Sequence, residues 1–121
     1  MQTHRKERNM KLAFLGAGNM AGAMIQSILA ADVLKGDEIL LVNARNPAHG
    51  KETAARLGIT AAEPAALRTA DAIVFAMKPQ DFSAAAAMYR SYLENQLVLS
   101  IMAGISFKKL EKELGALPFI R

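Results

Sequence analysis

The chain has 121 residues, of which 52% are hydrophobic, enough for one domain with a buried core and too few for two. It contains no cysteine, which excludes disulfides, thiolate metal sites and a cysteine nucleophile together, and its histidines, His4 and His49, have no partner at metal-ligand spacing, so no metal site is expected. The net charge of +4 is mild and part of it sits in the first ten residues, "MQTHRKERNM"; with no aromatic-rich basic strand to go with it, nucleic acid is not an expected partner.

Residues 1–10 read as a basic flexible leader, and residues 11–121 as the folded domain. The leader lacks the apolar core of a secretory signal, and no apolar run approaches the roughly eighteen residues needed to span a bilayer, so no membrane partner and a cytoplasmic location are expected.

In chain order, the first buried strand is expected at "KLAFL" (11–15), followed at once by the glycine-bearing stretch "GAGNMA" (16–21) and a helix. On that helix Met24 and Ile28 read as core, with Met20 close to the turn. "EILLVN" (38–43) is the second strand, and Asn46-Pro47 marks the start of a second helix as an N-cap followed by proline. "GIT" (58–60) is a weaker strand, and Glu63-Pro64 reads as another helix start. "DAIVFAM" (71–77) is a further buried strand; Asp81 is a cap candidate for the segment behind it, whose Phe82, Ala85, Ala86 and Tyr89 share one helical face. "QLVLSIM" (96–102) is next, then a helix capped by Ser106, with Phe107, Leu110 and Leu114 on its inner face and Gly115 as its stop. "PFIR" (118–121) is a weak last strand. Short, nearly continuous apolar runs alternating with helices imply a doubly wound α/β fold with a parallel sheet, because right-handed crossovers then cover both faces.

The stretch "FLGAGNMA" (14–21) has the G-x-G-x-x-A spacing, and it lies between the first strand and the first helix, the context that makes the spacing informative. Gly16 permits the tight turn, Gly18 lets backbone approach a pyrophosphate, Ala21 lets the helix press on the sheet, and the helix offers its amides and positive dipole end to phosphate. This defines a Rossmann-type dinucleotide-binding domain. At the end of the second strand stands Asn43, with Arg45 two residues on, where an NAD-preferring site would carry Asp or Glu. Arg45 offers a forked, charge-assisted contact to a 2′-phosphate, so NADP(H) is the preferred cofactor and NAD(H) a permitted one. Further along, "AMKPQ" (76–80) follows a buried strand at its carboxyl end, where open α/β sheets place ligands. Pro79 turns the chain there, and Lys78 divides evenly between a functional role and that of an exposed loop lysine.

"FLGAGNMA", "AMKPQ" and "SIMAGIS" (100–106), in this order and register, resemble the N-terminal domain of pyrroline-5-carboxylate reductase. The resemblance implies NAD(P)H-dependent reduction of the C=N bond of 1-pyrroline-5-carboxylate to L-proline. It puts Gly16, Ala17, Gly18, Asn19 and Met20 on the pyrophosphate, Asn43 and Arg45 on the adenosine end, Ala76, Met77, Lys78 and Pro79 along the ribose and nicotinamide, and Ala103 and Gly104 beside the nicotinamide. It assigns no catalytic residue in this chain. The sequence departs from the family's usual pattern at Glu63, where asparagine is common, and at Met102, where alanine is common; a carboxylate at Glu63 near the adenosine would oppose a 2′-phosphate. In the family an all-helical domain follows, which forms the homo-oligomer and supplies most substrate contacts. That C-terminal helical domain is absent from these 121 residues, which are therefore expected to bind nucleotide with little or no turnover. The alternatives are a non-catalytic NADP-binding regulatory module and another NADP-dependent oxidoreductase on the same kind of domain, such as a deazaflavin-dependent one or a β-hydroxyacid dehydrogenase. The "KPQ" and "AGIS" signatures argue against those other reductases.

Overall fold

The computed structural model describes residues 10–16 and 18–120; most of the basic leader, Ala17 and Arg121 lie outside the described residues. The apolar runs become strands buried from both sides. β1 (Leu12–Leu15), β2 (Ile39–Val42), β4 (Ala72–Phe75) and β5 (Leu97–Ser100) form the centre of the sheet, with the short β3 (Thr60–Ala62) and β6 (Phe119–Ile120) at its edges. All neighbours are parallel and the order is β3-β2-β1-β4-β5-β6. Every residue of β2 and β4 is buried, as parallel strands covered on both faces require.

Alternation along the strands sorts the core into two layers. Phe14, Ile39, Leu41 and Val74 point to the face covered by α1 (Asn19–Ala30) and α2 (Pro47–Leu57), where they meet Ala21, Ile25, Ala54 and Leu57. Leu15, Leu40, Val42, Ile73 and Phe75 point to the other face, under Phe82, Ala86 and Tyr89 of α3 (Phe82–Tyr89) and Leu110 and Leu114 of α4 (Phe107–Leu114). Phe75 and Phe82 pack edge to face, ring centroids 5.7 Å apart. The Met24 and Ile28 side chains pack against the first layer, half-buried, while the fully covered positions of α1 are Ala21 and Ile25.

Asn46 and Ser106 cap their helices as expected: the Asn46 side chain accepts from the His49 amide (3.1 Å) and Ser106 Oγ from the Lys109 amide (3.1 Å). Gly115 ends α4 at φ 93°. Four local expectations are revised. Gly58 is the left-handed C-cap of α2 (φ 78°), so it cannot join the ladder, and β3 begins at Thr60. Glu63-Pro64 does start a helix, with Glu63 at the N-cap position and Pro64 first, but it is the short 3-10 helix Pro64–Thr69 and Glu63 gives it no side-chain cap; its Leu67 carbonyl accepts from the buried Gln96 side-chain amide (2.9 Å). The Leu67 carbonyl also accepts from the Ala70 amide (3.1 Å), and the run ends there because the next amide, that of Asp71, donates to the Lys11 carbonyl (2.9 Å) and leads the chain into β4. Asp81 gives α3 no side-chain cap, its carboxylate being turned to Arg45. Phe107 is half exposed at the first position of α4, where the inner face of that helix has not yet begun.

Candidate dinucleotide site

β1 runs between β2 and β4, so the connections leaving β1 and β4 depart to opposite faces and a crevice opens at the carboxyl ends of these strands. A cleft of about 520 Å³ lies there, lined by Gly16 and Gly18, by Asn43, Arg45 and Asn46, and by residues from Ala76 to Tyr89. Seven residues that the sequence singled out, Gly16 and Gly18 after β1, Asn43 and Arg45 after β2, and Ala76, Met77 and Lys78 after β4, thus meet in one place although they come from separate parts of the chain.

The two glycines are there for different reasons. Gly16 has φ +106°, and a Cβ on it would lie 3.0 Å from the Ala76 carbonyl oxygen; the Ala76 amide in turn donates to the Leu15 carbonyl at 2.9 Å, which locks the two loops together. Gly18 has an ordinary φ of −84°, and a Cβ there would meet nothing within 4 Å. The fold therefore needs the first glycine and leaves the space beside the second open. Gly18 is also the N-cap of α1, which has no side-chain cap, unlike α2 and α4, and no acidic residue in its first turn. The amides of that turn are free of a capping side chain, at the positive end of a twelve-residue helix.

The second wall is the β2–α2 connection. Asn43 Oδ1 accepts from the Asn46 amide (3.2 Å), closing a turn, and the Tyr89 hydroxyl accepts from the Ala44 amide (3.0 Å). Tyr89 is buried, so α3 reaches under the cleft and fixes the connection from below. Arg45 projects over it, 65% exposed, its Nη1 3.6 Å from Asp81 Oδ1. Lys78 and Met77 line the third wall, Lys78 exposed at the start of the 3-10 turn Pro79–Asp81.

Other expected residues lie off the cleft wall. Asn19 and Met20 are exposed in the first turn of α1, Pro79 is exposed just behind Lys78, and Ala103 and Gly104 sit exposed in the β5–α4 connection, Gly104 at φ +79°. Glu63 does not line the cleft; the carboxylate that stands beside Arg45 is Asp81. Sequence reading assigned Asp81 and Asn46 to helix caps and Ala85 and Tyr89 to the core. Only Tyr89 carried a local signal, a polar hydroxyl on an apolar helix face that must find a partner. Among the described residues no group of three or more His, Asp or Glu could hold a metal ion, and no helix is long and apolar enough to cross a membrane.

A parallel sheet of this order, with a glycine turn joining β1 to α1 at the switch point, defines a Rossmann-type dinucleotide-binding domain. The chain belongs to the family of coenzyme F420-dependent NADP oxidoreductases, whose sequence model matches residues 11–104. Within that family it is similar to the pyrroline-5-carboxylate reductases, as its three signatures imply. It is 34% identical to the Staphylococcus saprophyticus pyrroline-5-carboxylate reductase over 110 residues, which cover 88% of this chain and 41% of that enzyme. Of the solved structures, a Coxiella burnetii pyrroline-5-carboxylate reductase superimposes with a TM-score of 0.73 at 26% identity, covering 88% of this chain and 40% of that one. The Plasmodium falciparum pyrroline carboxylate reductase with NADP bound shares the fold with a TM-score of 0.74 at 24% identity, covering 93% and 42%. The chain thus spans about two fifths of the length of these relatives.

Proposed function

We propose that this chain is the nucleotide-binding portion of a pyrroline-5-carboxylate reductase, in which NAD(P)H reduces the C=N bond of 1-pyrroline-5-carboxylate to L-proline. The observation that carries the reading is Gly18: the fold leaves its Cβ position empty, directly at the uncapped N-terminus of α1, in a cleft at the switch point of the sheet. Such a cradle suits a pyrophosphate, which needs close backbone approach and convergent amides. The likeness to reductases of that name supports the choice of reaction.

In this reading Gly16, Ala17, Gly18, Asn19 and Met20 hold the pyrophosphate. Asn43 and Arg45 hold the adenosine end, Ala76, Met77, Lys78 and Pro79 run along the ribose and nicotinamide, and Ala103 and Gly104 flank the nicotinamide. The cofactor, when bound, supplies the hydride. The work of this chain's residues is to position it, which is where much of the rate advantage of such a reaction arises. NADP(H) is preferred over NAD(H) because Arg45 is the charged group presented to a 2′-phosphate and the end of β2 carries Asn43, not a carboxylate. Substrate contacts, protonation of the imine nitrogen and assembly into a homo-oligomer belong, in this proposal, to the helical portion by which the relatives exceed this chain, and the protein works in the cytoplasm. Residues 11–121 form the cofactor domain, preceded by the leader of residues 1–10.

Calorimetric titration of the purified 121-residue chain with NADPH and with NADH tests the reading. Saturable binding of both, NADPH the tighter, with little or no proline formed from 1-pyrroline-5-carboxylate, is the expected result. A natively folded chain that binds neither nucleotide refutes the cofactor role, and turnover at a rate typical of enzymes refutes the location of the substrate contacts.

A further inference from the structure

The Arg45–Asp81 pair bridges the cleft from the β2–α2 connection to the segment before α3, and neither fold nor helix capping calls for it. The Asp81 carboxylate accepts no capping bond from α3, makes no other ion pair among the described residues, and is 40% exposed, while Arg45 is 65% exposed. Two flexible, solvated side chains lose conformational freedom to hold such a geometry and gain little stability from it. Its consequence lies in the cleft. The guanidinium offered to a 2′-phosphate is already partly neutralised, by a carboxylate that itself lines the same cleft and repels a dianion.

Resting on the dinucleotide reading above, we propose that Asp81 is a cofactor-selectivity residue, acting through Arg45. It is the counter-ion that a 2′-phosphate has to displace, and it lowers the advantage of NADPH over NADH below what Arg45 alone would confer. NADH lacks the 2′-phosphate that competes for the guanidinium at this end of the cleft, so its binding leaves the pair intact. The sequence offers one carboxylate, Glu63, to oppose a 2′-phosphate and reads Asp81 as a helix cap, whereas the carboxylate that stands beside Arg45 is Asp81. The control of preference is therefore split between the end of β2, where such control is expected, and a residue reached only through the β4–α3 connection.

The test is a double-mutant cycle on the full 121-residue chain: wild type, Asp81→Asn, Arg45→Gln and the double variant, each titrated calorimetrically with NADPH and with NADH at one low salt concentration. Asparagine keeps the size of the side chain and removes only the charge, and circular dichroism checks that each variant is folded. Asp81→Asn is expected to tighten NADPH by about five-fold, the upper end of what an exposed ion pair is worth, and to leave NADH within about two-fold. In the Arg45→Gln background the same substitution is expected to change the NADPH-to-NADH ratio by less than about two-fold, and the five-fold effect should shrink as salt is raised. An equal change for both nucleotides, weaker NADPH binding, or a full effect that persists without Arg45 overturns the proposal while leaving the nucleotide site standing. Failure of the folded wild-type chain to bind either nucleotide overturns the site, and this inference with it.

Discussion

Substituting each of the two cleft glycines by alanine should give opposite results, because one lacks a Cβ for the sake of the fold and the other does not. Gly16→Ala forces an L-residue to φ +106°, which costs about 1–3 kcal/mol. It also drives a methyl to 3.0 Å from the Ala76 carbonyl oxygen, on a backbone that cannot yield without breaking the 2.9 Å bond from the Ala76 amide to Leu15. The sum is about 2–4 kcal/mol, and at about 4 °C per kcal/mol for a domain of this size the midpoint falls by about 10 °C. Gly18→Ala meets none of this: φ is −84° and the methyl points into open space. The gain from restricting the unfolded chain, about 0.4–1 kcal/mol, is offset by alanine being a poorer N-cap than glycine, and stability should stay within about 1 kcal/mol of wild type. NADPH binding by Gly18→Ala, in contrast, should weaken by at least ten-fold, about 1.4 kcal/mol, since the methyl occupies the position proposed for pyrophosphate. Thermal and denaturant unfolding followed by circular dichroism, with calorimetric titration of the same preparations, measures both quantities. A Gly18→Ala variant as destabilised as Gly16→Ala would show that the second glycine also serves the fold, and one that binds NADPH like wild type would remove the pyrophosphate from this turn.

Tyr89→Phe removes the acceptor of the half-buried Ala44 amide, so a loss of about 1 kcal/mol is expected together with faster hydrogen exchange at Ala44; unchanged exchange there would show that α3 does not anchor the β2–α2 connection. Gly36→Ala places a methyl inside the contact radius of the Gly58 carbonyl oxygen, backbone against backbone, and should destabilise by about 2–4 kcal/mol far from the cleft, leaving the NADPH affinity of the folded fraction within two-fold of wild type; a midpoint within about 2 °C of wild type would show that this approach relaxes at little cost.

The fold was legible in the chain because its signals are local. Each buried parallel strand is a short apolar run, and Asn46, Ser106 and Gly115 announce helix ends through the hydrogen bonds or backbone angles that those positions require. Local signals failed where a tertiary partner intervened. Glu63-Pro64 starts a helix as its residues suggest, but the Asp71 amide goes to the Lys11 carbonyl and the helix stays a short 3-10 run; Asp81 has the look of a cap, but Arg45 takes its carboxylate. The same division runs through the site. The glycine turn and Arg45 could be read from type and position, whereas Tyr89 passed as core because helical periodicity reports which face is buried and not what a hydroxyl on that face reaches.

By itself the sequence determined the parallel α/β class, the ends of most elements, the strand-to-helix glycine turn and the likeness to pyrroline-5-carboxylate reductases, since each follows from residues that are neighbours along the chain. Tertiary structure alone decided that β1 pairs with both β2 and β4, that the crevice between their connections is closed from below by Tyr89, and that the charge facing Arg45 comes from Asp81 and not from Glu63. Strand order and side-chain pairing depend on distances through space between residues far apart in the chain. Periodicity and capping carry no record of those distances.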